Sequence, residues 1–495
     1  MNEFIKIEPR DNVIIMLETI QIGEIIELAT GSFTAKEEIL RGHKMAIRPI
    51  GISEPIIKYG EVIGVAREAI EVGAHVHIHN VETTLGELSG YSYQQEKKEL
   101  LISLPERTVK VYPRINGNVG IRNELWIVPT VGCVNAVARQ IKNRFLSEIG
   151  LLEIDGVHVF THDYGCSQMG QDHVNTRTAL QGIAKHPNAG GVLVLGLGCE
   201  NNQVEFFEKT MGAYDGERTK FMIAQEVEDE VSEGVAILKM LYKEMLKDKR
   251  VEKPINVLNI GLECGGSDGF SGITANPLLG EFSDYLVEYG GTSVLTEVPE
   301  MFGAEHILMK RCISEEIFQK TVALINDFKH YYKKHDQVIY DNPSPGNKRG
   351  GITTLEEKSL GCIQKAGRSA VMDVLQYGEI IKAKGVNLVS APGNDLVATT
   401  ALGISGCHMV IFTTGRGTPY GGFIPTVKVS TNSELAQRKK HWIDFDAGQL
   451  ITGINMDSLL IRFIDYIIEV CNGKEVNNEK NDFREIAIFK SGVTL

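Results

Sequence analysis

The chain has 495 residues and a formal net charge of −13 at neutral pH. That length exceeds what one compact core supports, so we expect several domains. The acidic balance argues against nucleic acid or an anionic membrane as a main partner. No apolar stretch approaches the roughly 20 residues of a membrane helix, and the first residues lack the pattern of a signal peptide. Eight cysteines without a CxxC pair favour reduced thiols and a cytoplasmic location.

Three units follow one another along the chain. Residues 1–95 hold short β-branched runs separated by Gly, Pro and charged turns, which predict a small β-rich domain. The polar segment 95–104 is interpreted as a tether. Residues 109–250 and 251–495 alternate apolar runs with helical segments, which is typical of α/β domains with mostly parallel sheets. The charged run 243–254 is the predicted linker between these two domains.

The third unit continues the α/β pattern. Residues 292–298, 388–391 and 409–413 predict strands. Residues 395–405 predict a helix, and residues 305–334 predict one long amphipathic helix.

The second unit repeats an apolar strand that ends in Gly-Cys. Three copies end at Cys133, Cys166 and Cys199, and a looser fourth copy at the start of the third unit ends at Cys264. Because the carboxyl ends of parallel strands form the ligand crevice, we expect all four thiols at that edge. Four converging thiolates would suffice for an iron–sulfur cluster. The absence of a close cysteine pair favours a single metal ion instead.

Three histidines stand together in the motif HVHIHN. On a strand, His75, His77 and His79 would point to one face. Neighbouring imidazoles on that face lie ~7 Å apart, close enough to share an ion, whereas the outer two lie ~13 Å apart. We therefore expect His75 and His77 to bind a metal ion whose remaining ligands come from elsewhere. A polar, solvent-facing strand is the alternative.

Other candidate ligands follow the strands of the second unit. The segment THDYGCSQMGQDH contains His162 and Cys166. We expect His162 to be a catalytic acid–base group and Cys166 to be a metal ligand. Helix capping is the alternative role of this segment. Glu200 and Asn201 stand in the turn GLGCENNQ, where we expect a metal ligand and a substrate contact. Cys264 is also an expected metal ligand. The expected ligands are therefore five: His75, His77, Cys166, Glu200 and Cys264. Tight strand-to-helix turns are the alternative.

The third unit supplies the remaining candidates. In the loop GLECGGSDGFSG we expect Ser267 to bind the substrate and Asp268 to take part in catalysis. This loop matches neither a dinucleotide fingerprint nor a Walker loop. Lys365 is a candidate catalytic group, and Lys348 a substrate contact, in a long Gly-rich segment that is typical of a functional loop. An anionic substrate needs a local cation in so acidic a chain.

Arginine suits a carboxylate because its guanidinium binds two oxygens at once. We expect Arg122, Lys365 or Arg416 to contact the substrate carboxylate, and solvated surface charge is the alternative for each of them.

These motifs together resemble the altronate/galactarate dehydratase family. The matching segments are GAHVHIHN, NGNVGIRNELWIVPTVGCVN, THDYGCSQMGQDH, GLGCENNQ, GLECGGSDGFSGITANP, TEVPEMFGAEH, NPSPGNKRGGITTLEEKSLGC, SAPGNDLVATT, TGRGTPYGGFIPTVK and AIFKSGVTL. The resemblance covers essentially the whole chain. It implies an N-terminal SAF-type β domain, two family-specific α/β domains, and a requirement for Fe²⁺ or a similar divalent ion such as Mn²⁺.

The resemblance also implies the reaction. We expect dehydration of the sugar acid D-altronate to 2-keto-3-deoxy-D-gluconate by a cytoplasmic hydro-lyase, which can be a homo-oligomer. Loss of the C2 proton beside a carboxylate needs a nearby base, and a divalent ion stabilises the enediolate. Galactarate dehydration, sulfolactate cleavage on the same scaffold, and sugar-acid binding without turnover are the alternatives.

Overall fold

A computed structural model describes residues 3–28, 31–86, 90–96 and 103–491. Residues 97–102 of the predicted tether and the end of the terminal motif lie outside these ranges. The N-terminal domain is built from nine short strands: β1 (Phe4–Ile5), β2 (Val13–Met16), β3 (Ile25–Leu28), β4 (Gly31–Thr34), β5 (Lys44–Ala46), β6 (Pro55–Lys58), β7 (Glu61–Ala66), β8 (His75–Val76) and β9 (Val81–Glu82).

These strands form three small antiparallel sheets, ordered β1-β2-β5-β8, β3-β4 and β6-β7-β9. The predicted β-rich N-terminal domain is thus confirmed. The motif HVHIHN departs from its prediction, because only His75 and Val76 are in a strand and the chain turns immediately after them.

The second domain surrounds a four-stranded parallel sheet ordered β13-β12-β14-β15. Its central strand is buried at every position, which explains its continuous apolar run. The elements are β10 (Thr108–Pro113), β11 (Val119–Gly120), β12 (Glu124–Pro129), β13 (Gly156–Val159), β14 (Ala189–Gly196), β15 (Thr219–Ile223), β16 (Val251–Pro254), α1 (Asn135–Ile149), α2 (Gly170–Ala184), α3 (Val204–Thr210) and α4 (Glu230–Met245), with 3₁₀ turns at Gly132–Val134 and Ala224–Glu226.

The predicted linker at residues 243–254 is partly regular structure. Its first residues complete α4, and its last four form β16, which pairs antiparallel with β10. The two ends of the second domain are therefore joined by a small sheet, in which the exposed, partly charged β16 is the edge strand.

The C-terminal domain has a seven-stranded parallel sheet ordered β19-β20-β18-β17-β21-β22-β23. Its strands are β17 (Asn259–Cys264), β18 (Thr292–Leu295), β19 (Val371–Leu375), β20 (Gly385–Val389), β21 (Met409–Thr414), β22 (Thr426–Ser430) and β23 (Phe445–Asp446). Its helices are α5 (Ala275–Glu288), α6 (Glu305–Lys310), α7 (Glu315–Lys334), α8 (Pro345–Arg349), α9 (Leu355–Cys362), α10 (Asp395–Ile404), α11 (Ser433–Arg438), α12 (Met456–Cys471) and α13 (Asn477–Lys480), with 3₁₀ turns at Ile255–Val257, Val298–Met301, Ile363–Ala366 and Ala447–Thr452.

Both body domains confirm the expected α/β class. The single helix predicted over residues 305–334 is instead two helices, because the Ser314 side chain accepts a hydrogen bond from the Ile317 backbone N–H and starts α7. Within the described ranges, no helix is long and apolar enough to cross a membrane.

The N-terminal domain rests on the C-terminal body through a shared core. One hydrophobic cluster runs without a break from Val13, Ile56 and Ile63 to Leu355 and Leu360 of α9. Burial of such apolar side chains contributes roughly 1.5–3 kcal/mol for each large residue. The two domains therefore pack as one unit.

A buried ion pair network lies in the same interface. The Glu357 carboxylate, on α9, accepts hydrogen bonds from Lys44 Nζ at 2.9 and 3.0 Å and from Lys58 Nζ at 2.8 Å. Lys44 also donates to the Gly351 carbonyl at 2.7 Å. Although burial alone would raise it, the charges of the two lysines lower the pKa of Glu357 to about 2. Two strands of one domain are thus bound to one carboxylate of the other.

Replacing Glu357→Gln should destabilise the protein, because two ammonium groups would lose their shared counter-charge in a dry interface. We expect the free energy of unfolding to fall by roughly 3–5 kcal/mol, measured by chemical denaturation. The difference from the wild type should shrink as pH falls from about 4.5 toward about 2, where the wild-type carboxylate also becomes neutral.

Glu61→Gln is the matched control, since Glu61 pairs with Arg10 at the surface. That change should cost about 1 kcal/mol or less. Equal effects of the two substitutions would contradict the importance of the buried network.

Candidate active site

The candidate site lies where the N-terminal domain meets the carboxyl edge of the seven-stranded sheet. In open parallel sheets ligands bind outside this edge, and the loops that follow β17, β18 and β21 all reach it. The segment that carries α8 and α9 lies between this edge and the N-terminal domain. Its long Gly-rich sequence was expected to be a functional loop.

A cluster of three imidazoles lies on the N-terminal side of this interface. His43 Nδ1 and His75 Nε2 are 2.9 Å apart, and one ligand nitrogen from each of His43, His75 and His77 falls within 4.8 Å of the others. His77 Nδ1 lies 2.9 Å from Thr353 Oγ1. Burial and the neighbouring positive charges lower the pKa of His75 and His77 to about 3, so both rings are neutral and can act as ligands.

His43 is the member of this cluster that sequence reasoning missed. It precedes β5, which pairs antiparallel with β8 and so sets His43 beside His75. The sheet register that joins residues 32 positions apart is not visible in the sequence. His79, expected on the same face as His75, is exposed; it contacts the His75 ring and belongs to a second group with Glu37 and His75.

A second polar centre lies on the body side of α9. The Cys264 and Cys362 Sγ atoms are 3.4 Å apart, and each lies within hydrogen-bond distance of Glu300 Oε2, at 3.2 and 3.1 Å. Lys358 donates to the other oxygen of Glu300. The hydrogen bond from Cys362 lowers the pKa of the Cys264 thiol and raises that of Cys362 itself. The expected metal ligand Cys264 is therefore engaged with Cys362 and Glu300, away from the histidines.

Lys365 is fully buried against the same centre. Burial alone would lower its pKa, but the adjacent Cys264, Cys362 and Glu300 hold the pKa of Lys365 well above its usual value. This side chain therefore stays protonated at neutral pH. A protonated ammonium is a poor proton acceptor, so Lys365 supplies a fixed positive charge to this centre, and its predicted catalytic role stays a prediction.

Three carboxylates adjoin this centre and were not anticipated from the sequence. One oxygen from each of Glu263, Glu297 and Asp395 lies within 4.8 Å of the others. All four oxygens of Glu263 and Glu297 are buried without a hydrogen-bond donor. Burial raises the pKa of both glutamates well above the usual range and that of Asp395 to about 6. Glu297 also has a left-handed backbone, with φ of 59°, which is a strained conformation.

Two of these groups fit a divalent cation. The three imidazoles are neutral nitrogen ligands, and the hydrogen bond of His77 to Thr353 is the outer support typical of a metal-bound histidine. The unpartnered oxygens of Glu263 and Glu297 would equally be satisfied by a hard cation. The thiol centre fits less well, because Lys358 already neutralises Glu300.

Four of the predicted residues line the body side of the interface. Lys348 and Arg416 belong to adjoining loops, and Arg416 Nη1 donates to the Gly346 carbonyl at 2.9 Å. The Ser267 hydroxyl is buried without a partner, as a substrate contact would require. Asp268 accepts hydrogen bonds from Thr431, Ser271 and the Phe270 N–H, so it fixes the loops and has no free oxygen for catalysis.

The structure assigns three other predicted residues to architecture. The donors of Arg122 are all engaged by Glu479 and three backbone carbonyls, so it cannot bind a substrate carboxylate. His162 uses one ring nitrogen on the Pro129 carbonyl and the other on the Tyr164 N–H. The Glu200 carboxylate accepts from Thr130, Leu197 and Gly198. These polar side chains stabilise turns at the ends of strands. The sequence alone cannot distinguish a side chain with this role from a metal or substrate ligand.

Asn201 and Cys166 also lie in the second domain. Asn201 Oδ1 accepts the Ser167 N–H at 2.7 Å, and Cys166 is exposed next to it. The five predicted ligands His75, His77, Cys166, Glu200 and Cys264 thus belong to three separate places, and only the first two share a group.

Two wide clefts on the body lie elsewhere. They measure about 610 and 530 Å³ and are lined by residues at the amino ends of the strands, such as Asn259, Thr292 and Ala189. A cavity of about 10 Å³ lies at the candidate site, between Ser267 and Cys362. Chemistry rather than cavity size therefore identifies the site.

Comparison with known proteins agrees with this architecture. Residues 2–84 match the altronate/galactarate dehydratase SAF domain, residues 111–246 the D-galactarate dehydratase/altronate hydrolase second domain, and residues 255–494 the D-galactarate/altronate dehydratase C-terminal domain. The chain is 59% identical to an altronate dehydratase of Escherichia coli K12 and 56% identical to one of Bacillus subtilis 168, with all of each chain covered. It is 33% identical to the galactarate dehydratase (L-threo-forming) of E. coli K12, over 95% of this chain and 93% of that one. The chain therefore belongs to the altronate/galactarate dehydratase family of hydro-lyases.

Proposed function

We propose that the chain dehydrates D-altronate to 2-keto-3-deoxy-D-gluconate with the help of bound Fe²⁺, for which Mn²⁺ can substitute. Two full-length relatives named for altronate dehydration support the substrate, at 59% and 56% identity against 33% for the relative named for galactarate. The observation that carries the metal requirement is the convergence of three neutral imidazoles at the domain interface. Since the family acts by turnover, a binding protein without activity is no longer an alternative.

His43, His75 and His77 would hold the ion. When bound, it supplies a Lewis acid for the carboxylate or the leaving hydroxyl of a sugar acid. The protein prepares the site in advance: burial keeps the imidazoles neutral, Thr353 fixes the His77 ring, and the Arg349 carbonyl lies 3.2 Å from His43 Nε2. Because the ligands come from the N-terminal domain and their supports from the body, the site forms only when the domains are packed together.

The substrate is an anion and needs positive charge at this interface. Lys348 and Arg416 are the predicted cations that the structure leaves on adjoining loops there, and Ser267 offers a buried hydroxyl. Lys365 and Lys358 offset the carboxylates deeper in the body. Arg122 forms an ion pair with Glu479 and is not part of this proposal.

Asp395 has the properties of the group that takes the C2 proton. It is partly exposed at the start of α10, and its pKa of about 6 leaves it mostly ionised at neutral pH while keeping it a stronger base than an ordinary aspartate. The nearby Glu263 and Glu297 carry raised pKa values, which favour their neutral, protonated forms and so limit the negative charge around Asp395.

The substrate is tested with a panel of acids. With reducing agent and added Fe²⁺, purified enzyme should form a 2-keto acid from D-altronate, with kcat/KM at least about tenfold above that for galactarate or sulfolactate. Coupled detection of the keto product and mass spectrometry measure the outcome. A preference for galactarate, or sulfite release from sulfolactate, would overturn the assignment.

The ion's position is tested by metal content. His77→Ala should lower the amount of Fe²⁺ retained after gel filtration and abolish activity, because one of three ligands is lost; outer-ligand losses alone cost about 10–100-fold in affinity. His79→Ala, in the same motif but exposed, is the matched control and should retain both.

Two results would contradict the histidine site. Loss of iron in His79→Ala but not in His77→Ala would favour the group of Glu37, His75 and His79. Loss of iron in Glu297→Gln with retention in His77→Ala would assign the ion to the buried carboxylates.

Asp395→Asn should lower kcat by roughly 10²–10⁴-fold, because the amide cannot accept the proton. KM and iron content should remain close to wild type. Asp457→Asn, in the first turn of α12, is the control and should be silent. If Asp395→Asn loses iron along with activity, Asp395 is a metal ligand and not the base.

A further inference from the structure

We propose that Cys133, Cys166 and Cys199 hold a [4Fe–4S] cluster with three protein thiolates and one iron left open. This inference goes beyond the proposed function, which places a single ion at the histidines of the N-terminal domain. It concerns a different domain and different ligands, so it can fail while the proposed function stands.

The three thiols differ from every other cysteine of the chain in their exposure. Cys133, Cys166 and Cys199 are exposed, whereas the remaining five are buried, namely Cys264, Cys312, Cys362, Cys407 and Cys471. Exposed thiols are uncommon in a structural role, because cysteine is otherwise among the most buried residue types. These three also share the repeated strand-Gly-Cys sequence.

The sheet topology sets the three thiols side by side. They follow β12, β13 and β14, which are the adjacent strands β13-β12-β14 of one parallel sheet. The strands are in register at their carboxyl ends, where Ile127 is opposite both Val159 and Leu193. Adjacent strands lie about 4.8 Å apart, so three consecutive loops emerge at one edge within about 10 Å.

Backbone contacts then bind these three loops to one another. Asn202, in the loop after β14, donates its N–H to the Gly165 carbonyl at 3.0 Å and its side-chain amide to the Thr130 carbonyl at 3.1 Å. The Gly132 N–H donates to the Tyr164 carbonyl at 2.9 Å. These hydrogen bonds of Asn202 thus connect all three loops that contain the cysteines.

The glycine before each cysteine explains the repeat physically. A Cβ on Gly165 would lie 2.2 Å from the Thr130 carbonyl, and one on Gly132 would lie 2.9 Å from the His162 carbonyl. Gly198 would meet the Gln225 side chain at 2.6 Å and has a positive φ of 129°. Gly132 and Gly165 therefore permit the loops after β12 and β13 to approach each other closely, whereas Gly198 permits the loop after β14 to approach Gln225, which follows β15.

A cluster suits these three thiols better than a single ion does. One tetrahedral ion needs its sulfur ligands close together, at about 2.3 Å from the metal. The groups of the described chain whose ligand atoms all lie within 4.8 Å do not include these three thiols. A cluster with inorganic sulfide spreads its thiolates further apart. The fourth candidate from the sequence repeat, Cys264, is bound to Cys362 and Glu300, which leaves three thiolates.

The open iron would face the same side as the candidate active site. Helix α2 begins just after Cys166, helix α10 begins at Asp395, and the two helices pack against each other. Their last turns also meet, since a Cβ on Gly182 would lie 2.6 Å from Ile404. Because the helices run in the same direction, the carboxyl edges of both sheets open to one side. An iron without a protein ligand there is free to bind an oxygen ligand.

The test uses the full-length chain purified without oxygen, and again after reconstitution with iron, sulfide and a thiol reductant. We expect a brown protein with broad visible absorption and about four irons and four acid-labile sulfides per chain. Each of Cys133→Ser, Cys166→Ser and Cys199→Ser should lose the visible absorption and the labile sulfide. Circular dichroism and the thermal midpoint confirm that each variant is folded.

Cys407→Ala is the matched control, because this cysteine also follows a glycine but is buried at the amino end of β21. It should retain the cluster. Iron without labile sulfide, or a colourless reconstituted protein, would overturn the proposal. So would a cluster that survives all three serine substitutions. Activity with Fe²⁺ in a colourless protein would leave the proposed function intact and reject only the cluster.

Discussion

The packing of the N-terminal domain on the body depends on one buried carboxylate. Glu357 is held between Lys44 and Lys58, and all three side chains are almost completely removed from solvent. Charges buried this deeply persist only when they are paired, so the network specifies one orientation of the two domains. That orientation sets His43 against the Arg349 carbonyl and His77 against Thr353. The candidate metal ligands are consequently positioned by an interface and not by one domain alone.

The cost of burying an unpaired charge also bears on the charged groups at the carboxyl edge of the seven-stranded sheet. Lys358 and Lys365 lie among Glu300 and two thiols, while Glu263 and Glu297 keep raised pKa values without any donor. Burying carboxylates without partners is costly, and proteins retain such groups mainly at functional sites. The body therefore stores both fixed positive charge and proton-holding groups next to the interface.

Sequence reasoning predicted the fold class and the three-part architecture because periodicity and apolar runs are local. It found His75 and His77 because they are neighbours in the chain, and it missed His43 because the pairing of β5 with β8 is a tertiary fact. Arg122, His162 and Glu200 were chosen for their chemistry, yet each is saturated by hydrogen bonds that close a turn or join two domains. Residue type and position after a strand do not reveal whether a polar group is already satisfied. The buried carboxylates were missed for the converse reason: Glu263 lies within a strand whose sequence is mostly apolar.

Homo-oligomerisation and a cytoplasmic location stay predictions. The proposed metal site differs from its alternatives in one respect: imidazoles of the N-terminal domain hold the divalent ion. Pulsed electron paramagnetic resonance of the protein loaded with one equivalent of Mn²⁺ tests this directly, since directly bound nitrogen modulates the signal. We expect nitrogen couplings from imidazole that weaken in His77→Ala and persist in His79→Ala. An all-oxygen environment would contradict the claim and assign the ion to Glu263, Glu297 and Asp395.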